Sequence, residues 1–167
     1  ATLFKEIILK SENDKKIIKT LNSSGTSGVN TSKIFLDENN AKNQKIVLSK
    51  ILRHVIGKER LPMLIIAQDP INIINRNSLS AKYAAIFGFS IFGKNHVYLL
   101  NEKDEINYLK LKNFLNKYSK KKFLVFGFTS NIYEYLLKKL SLNKIKKNFK
   151  QAILIHGGGW KKMLDKK

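Results

Sequence analysis

Four short apolar runs, Met63–Ala67, Val97–Leu100, Phe123–Phe126 and Ala152–Ile155, alternate along this chain with segments whose apolar residues recur at helical spacing. That alternation constrains the fold more than any other feature. Such runs are too short for buried helices, and unbroken apolarity suits strands covered on both faces. Strands that alternate with helices pair in parallel, because each helix returns the chain to the edge of the sheet where the next strand starts. The expected fold is α/β, a mixed and partly parallel sheet flanked by helices, in which ligand sites collect beyond the carboxyl ends of the strands.

The amino-terminal part adds a second pattern. Lys16 to Leu21 is β-compatible and runs into Ser23-Ser24-Gly25-Thr26-Ser27-Gly28, where small residues allow tight turns. Lys33 to Leu36 is expected to pair back on it. Asp37 then caps a helix in which Val47, Ile51 and Val55, with Leu48 and Leu52 beside them, repeat until Gly57 stops it. Further on, Ser80 to Tyr83 begins a helix whose glycine-punctuated, aromatic continuation to Phe92 leaves its assignment open. Leu111, Phe114, Leu115 and Tyr118 mark one helix face. A turn is expected at Gly127, and Ile132, Leu136 and Leu140 mark the face of the helix after it. No repeat, proline-rich linker or domain boundary stands out, so residues 1–167 read as one domain.

Composition excludes several classes. With no cysteine among the 167 residues, the chain has no disulfide, no cysteine metal site and no thioester of its own, which fits a reducing, cytoplasmic setting. No apolar run approaches the roughly 20 residues that span a bilayer, and no signal-peptide order opens the chain. The net charge of +20 invites a nucleic-acid partner. However, the cations are almost all lysine, with arginine only at Arg53, Arg60 and Arg76, whereas bidentate phosphate and guanine contacts favour arginine. Abundant lysine, isoleucine and asparagine together match a coding sequence biased toward A and T, so nucleic-acid binding is not the expected role.

Two glycine-rich segments sit where such a fold binds ligands. The loop Ser23–Gly28 offers backbone amides and hydroxyls to phosphate oxygens, and its alternative reading is a flexible linker. It lacks the Gly-Lys-Ser/Thr ending of a Walker loop. The second segment, His156-Gly157-Gly158-Gly159-Trp160-Lys161-Lys162, sets three glycines between a histidine and the single tryptophan. Three glycines lose much conformational entropy on ordering, so a fixed path there points to something flat lying close, such as a nucleotide base. The alternative is a glycine turn with Trp160 packed as an anchor. His156 itself reads as either a structural or a working histidine; His54 and His96 read as structural or exposed, and no cluster has metal-ligand spacing.

Taken together, in this order and separation, the two segments resemble the LuxE acyl-protein synthetase family. The first is similar to the Ser-Ser-Gly-Thr-Thr-Gly phosphate loop of that family and of adenylate-forming enzymes generally, and the second to a His-Gly-Gly-Gly-Trp-Lys stretch of LuxE proteins. Weaker likenesses at Leu3-Phe4-Lys5-Glu6, Ser80-Ala81-Lys82, Gly88-Phe89 and Phe126-Gly127-Phe128 extend it over nearly the whole chain.

The resemblance implies the large amino-terminal domain of an adenylate-forming enzyme, which activates a fatty acyl carboxylate with ATP and Mg and passes the acyl group to a cysteine of an acceptor protein or another thiol. It implies that Ser23, Ser24, Thr26 and Ser27, on a loop shaped by Gly25 and Gly28, hold phosphate. Lys33 neutralises phosphate charge, although it stands further from Gly28 than the usual lysine. His156, Gly157, Gly158, Gly159, Trp160 and Lys161 face the nucleotide. The pattern departs from the family in lacking the Tyr-Gly-x-Thr-Glu segment, the ribose-binding aspartate, the lysine of the mobile carboxyl-terminal domain and the acyl-accepting cysteine. The expectation is therefore a partial adenylation domain, residues 1–167, that is inactive alone. Two other readings stand beside it: a basic nucleic-acid-binding module using Lys120 to Lys122, Lys144, Lys146 and Lys147, and a noncatalytic structural fragment.

Overall fold

The computed structural model describes residues 7, 8, 10, 16–22, 33–72, 81–140 and 148–159. The chain divides into two compact units, Ala1–Gly57 and Lys58–Lys167. Of the motif residues, Ser23, Ser24, Gly25, Thr26, Ser27, Gly28, Trp160 and Lys161 lie outside the described residues.

In the first unit, β1 (Ile17–Asn22) and β2 (Lys33–Asp37) pair antiparallel, as the sequence leads one to expect; a bulge lies between Ile17 and Lys19. Asn22 is the strand partner of Lys33, so the two ends of the segment that carries Ser23–Gly28 are held side by side. α1 (Glu38–Ile56) follows directly. Asp37 caps it: one carboxylate oxygen accepts from the Asn40 amide at 2.7 Å and the other from the Asn40 side chain at 2.9 Å. Gly57 ends it with φ 94°, a conformation suited to glycine. The buried seam of α1 differs from the stripe read in the sequence: Leu52 and Ile56 are buried, while Val47, Ile51 and Val55 lie on an exposed side. The apolar stripe is broader than the seam it contains, and spacing alone does not say which half is covered.

The second unit holds a four-stranded sheet in the order β4-β3-β5-β6, every pair parallel. Its strands are β3 (Leu61–Gln68), β4 (Gly93–Leu100), β5 (Phe123–Phe128) and β6 (Ala152–Gly157). The α/β class expected from the sequence is thus observed. α2 (Ala81–Ser90) fills the stretch the sequence left open, and α3 (Tyr108–Tyr118) buries Leu111, Phe114 and Leu115. After β5, α4 (Thr129–Asn131) runs into a π-helix over Ile132–Leu137 that buries Ile132 and Leu136. Alternation along the strands separates two faces. Leu64, Ile66, Leu99, Phe123 and Val125 form one core with α3 and the π-helix. Phe126, of opposite parity, stacks on Phe89 of α2 at 4.7 Å, so α2 covers the other face. Pro62–Ala67 of β3 is buried throughout.

The turn expected at Gly127 is not there. Gly127 is buried inside β5, opposite Ile66 on one side and His156 on the other. Glycine is needed for close approach rather than for turning: an added Cβ would stand 2.9 Å from Ile132 Cδ1 and 3.0 Å from Ile66 Cβ. Gly127→Ala is expected to destabilise the protein by about 1–3 kcal/mol in urea unfolding, with Ile132→Val recovering part of the loss. Gly88→Ala, in exposed helix where an added Cβ meets nothing within 4 Å, is expected to stabilise by about 0.5–1 kcal/mol.

Candidate functional site at the carboxyl edge of the sheet

Because all four strands of the second unit run the same way, their carboxyl ends form one edge. β3 leads to β4 on one side and, after α3, the chain crosses back to β5 on the other, so the strand order reverses between β3 and β5. In open α/β sheets a ligand crevice lies outside such a switch point.

The edge is laced by side chains that bond across to neighbouring backbone. Gln68 Nε2 donates to the Glu102 carbonyl at 3.2 Å, joining the ends of β3 and β4. Asn131 Nδ2 donates to the Ile66 carbonyl at 3.0 Å, tying the helical turn after β5 to β3. Asp69 folds back to accept from the Ile71 amide at 3.1 Å. Asn101 orders the loop after β4, its Oδ1 accepting from the amides of Lys103 at 3.0 Å and Glu105 at 2.8 Å, with Asp104 in a left-handed conformation. Burial first, and the Asp104 carboxylate second, raise the phenols of Tyr83 and Tyr135 above their ordinary range, with Glu134 adding to Tyr135. Both therefore remain protonated hydroxyls at neutral pH.

Thr129, buried at the end of β5, is the junction with β6. Its Oγ1 lies 2.8 Å from the Gly158 carbonyl oxygen, 3.1 Å from that of Gly157 and 3.0 Å from His156 Nδ1. Three of the residues singled out in the sequence, His156, Gly157 and Gly158, thus meet on one hydroxyl. His156, Gly157, Gly158 and Gly159 are exposed, Gly158 has φ 85°, and an added Cβ at Gly157 would meet nothing within 4 Å. The described part of the glycine segment is thus an open backbone surface whose Gly157 and Gly158 carbonyls are bound by Thr129. Lys33, by contrast, is exposed at the start of β2 in the first unit, beside the foot of the segment bearing Ser23–Gly28.

Thr129 and Asn131 were not recognised from the sequence as site residues. The signal was the polar triplet Thr129-Ser130-Asn131 directly after an apolar strand, which a turn placed at Gly127 conceals. His96 takes the structural option: its Nε2 donates to the Ser90 carbonyl at 2.8 Å. His54 is exposed. A pocket of about 440 Å³ on the β4 side, lined by Asp69, His96, Tyr98, Lys110, Lys117 and Tyr118, gathers none of the motif residues. Burial and then Asp69 raise the Tyr98 phenol there. Among the described residues no helix is long and apolar enough to cross a membrane, and no three His, Asp or Glu side chains gather to hold a metal ion.

These features define a class, a parallel α/β domain with an ordered glycine surface at its carboxyl edge. The chain belongs to the LuxE acyl-protein synthetase family, whose model matches residues 1–167. The resemblance drawn from the two glycine segments is thereby borne out. The family is one of enzymes that act on acyl substrates and protein acceptors. No curated protein and no solved structure matches the chain.

Thr129→Val, which keeps shape but leaves the Gly157 and Gly158 carbonyls without their donor, is expected to cost about 1–3 kcal/mol in urea unfolding. Thr129→Ser, which keeps the hydroxyl, is expected to lose less than about 1.5 kcal/mol.

Proposed function

We propose that this chain is the nucleotide-binding part of an acyl-protein synthetase that activates a fatty acyl carboxylate with ATP and passes the acyl group to a cysteine or other thiol acceptor in the cytoplasm. The observation that carries the reading is the placement of His156–Gly159, open and held by Thr129 at the carboxyl edge of a parallel sheet, within a chain whose family is that of acyl-protein synthetases. A flat base fits this surface, because no Cβ stands between the backbone of Gly157 and an incoming ring. ATP, with its Mg, supplies an α-phosphate for carboxylate attack and pyrophosphate as the leaving group.

By the likeness of Ser23–Gly28 to the family's phosphate loop, that segment is assigned to the phosphates. Ser23, Ser24, Thr26 and Ser27 bring hydroxyl donors and Gly25 and Gly28 the freedom for close backbone approach, a chemistry suited to charge that grows on leaving phosphates. The pairing of Asn22 with Lys33 supports a role for that lysine, since it brings the cation to the loop's foot although five positions separate it from Gly28 in sequence.

A thermal-shift titration with Mg-ATP, AMP and a nonhydrolysable acyl-adenylate analogue, at fixed moderate ionic strength, tests the reading. The analogue is expected to give a saturable rise. Gly158→Val should abolish it: an added Cβ stands 3.3 Å from Phe128 Cδ1 and φ is 85°, so the branched side chain displaces the glycine path at a strain of about 1–2 kcal/mol, and the variant melts lower but cooperatively. Thr26→Ala should weaken ATP more than adenosine. The absence of any saturable shift, or an equal loss of ATP and adenosine in Thr26→Ala, counts against the assignment.

A further inference from the structure

The hydroxyl of Thr129 has three polar neighbours and one proton. Two of the neighbours, the carbonyl oxygens of Gly157 and Gly158, accept and never donate. If the proton pointed to His156 Nδ1, both carbonyls would face bare lone pairs at 2.8 and 3.1 Å. If it points to the carbonyls, the shorter contact to Gly158 is a normal hydrogen bond, and the oxygen is free to accept from Nδ1 at 3.0 Å. That arrangement requires a proton on Nδ1. A neutral imidazole protonated there carries its lone pair on Nε2, which makes no hydrogen bond among the described residues and belongs to an exposed side chain.

We propose that Thr129 is a positioning residue that holds His156 as the Nδ1–H tautomer, so that Nε2 serves as the proton acceptor for the thiol that takes up the acyl group. The inference rests on the acyl-transfer reading above. In the step, Nε2 takes the thiol proton as sulfur bonds to the acyl carbonyl carbon, and the bond from that carbon to the phosphate oxygen breaks and releases AMP. The imidazolium then returns its proton to solvent. No oxidant or reductant enters. The thiol is the acceptor's; residues 1–167 contain no cysteine. The buried hydroxyl fixes both the ring's orientation and its tautomer, the two properties that a freely rotating surface histidine lacks.

Long-range proton–nitrogen correlation spectra of the full chain labelled at histidine nitrogen, at about pH 8 where an ordinary imidazole is neutral, read the tautomer directly. The expected spectrum shows His156 with a protonated Nδ1 and a bare Nε2. Thr129→Val shifts the proton to Nε2, and Thr129→Ser restores the native pattern. Two half-reactions then separate the roles: exchange of pyrophosphate into ATP with a fatty acid, and transfer from preformed acyl-adenylate to a small thiol. His156→Gln is expected to lower transfer about 100-fold more than it lowers exchange. A native ring carrying its proton on Nε2, a tautomer that Thr129→Val leaves unchanged, or equal losses in the two half-reactions overturns the proposal. Absent exchange in the native chain, with transfer intact, counts against adenylation alone.

Discussion

A strand buried on both faces has no solvent to bond to, so the backbone of Pro62–Ala67 must be met along both edges by other strands. β3 solves this by pairing in parallel with β4 on one side and β5 on the other. Parallel pairing needs a crossover for every strand, and with β3 at the centre the crossovers pass on opposite faces: α2 over the Phe126 side, α3 and the π-helix over the Leu64 and Ile66 side. Two cores and one common carboxyl edge follow from that arrangement. At the last register pair with β5 a side chain adds to the pairing, where Asn131 reaches the Ile66 carbonyl.

The common edge is where the unit's chemistry gathers, and it is built from side-chain-to-backbone bonds rather than from a ring of charged groups. Glycines there do two different jobs. Gly127 is dry and crowded, set between Ile66 and Ile132, and keeps β5 close to its neighbours. Gly157 and Gly158 are open to solvent and bound through their carbonyls, which leaves a bare backbone surface in a defined position. The histidine before them is exposed yet anchored by one ring nitrogen. That combination suits a group that must meet a ligand without losing its orientation.

Much of this was legible in the sequence, because the signals were local. Asp37 ahead of a helical pattern and Gly57 after it marked both ends of α1, and the four apolar runs marked the sheet. The paired β1 and β2 were legible for the same reason. What failed to show depended on long-range partners. Thr129 finds His156 across 27 positions, and nothing in the spacing of either residue announces the other. Gly127 reads as a turn until Ile66 and Ile132 are seen beside it. Along α1 the periodicity was plain, yet the choice between the Leu52 side and the Val47 side was not, since both are apolar. The histidine and its glycines could be named from the sequence; the hydroxyl that organises them could not.

Among the described residues β6 lies at the margin of its sheet, with a paired strand on one side and Leu154 half exposed. Margins are where native proteins open first, in transient excursions far smaller than global unfolding. Here the end that bears the glycines is joined to the better-buried β5 by the strand pairing at Gly127–His156 and Phe128–Gly157 and by the Thr129 hydroxyl, so detachment of β6 and loss of the ordered glycine surface are one event. Any molecule held by those glycines must therefore slow the solvent exchange of amides along Ala152–Gly157, including amides it never touches. Occupancy at the tip of the strand becomes a property of the whole strand.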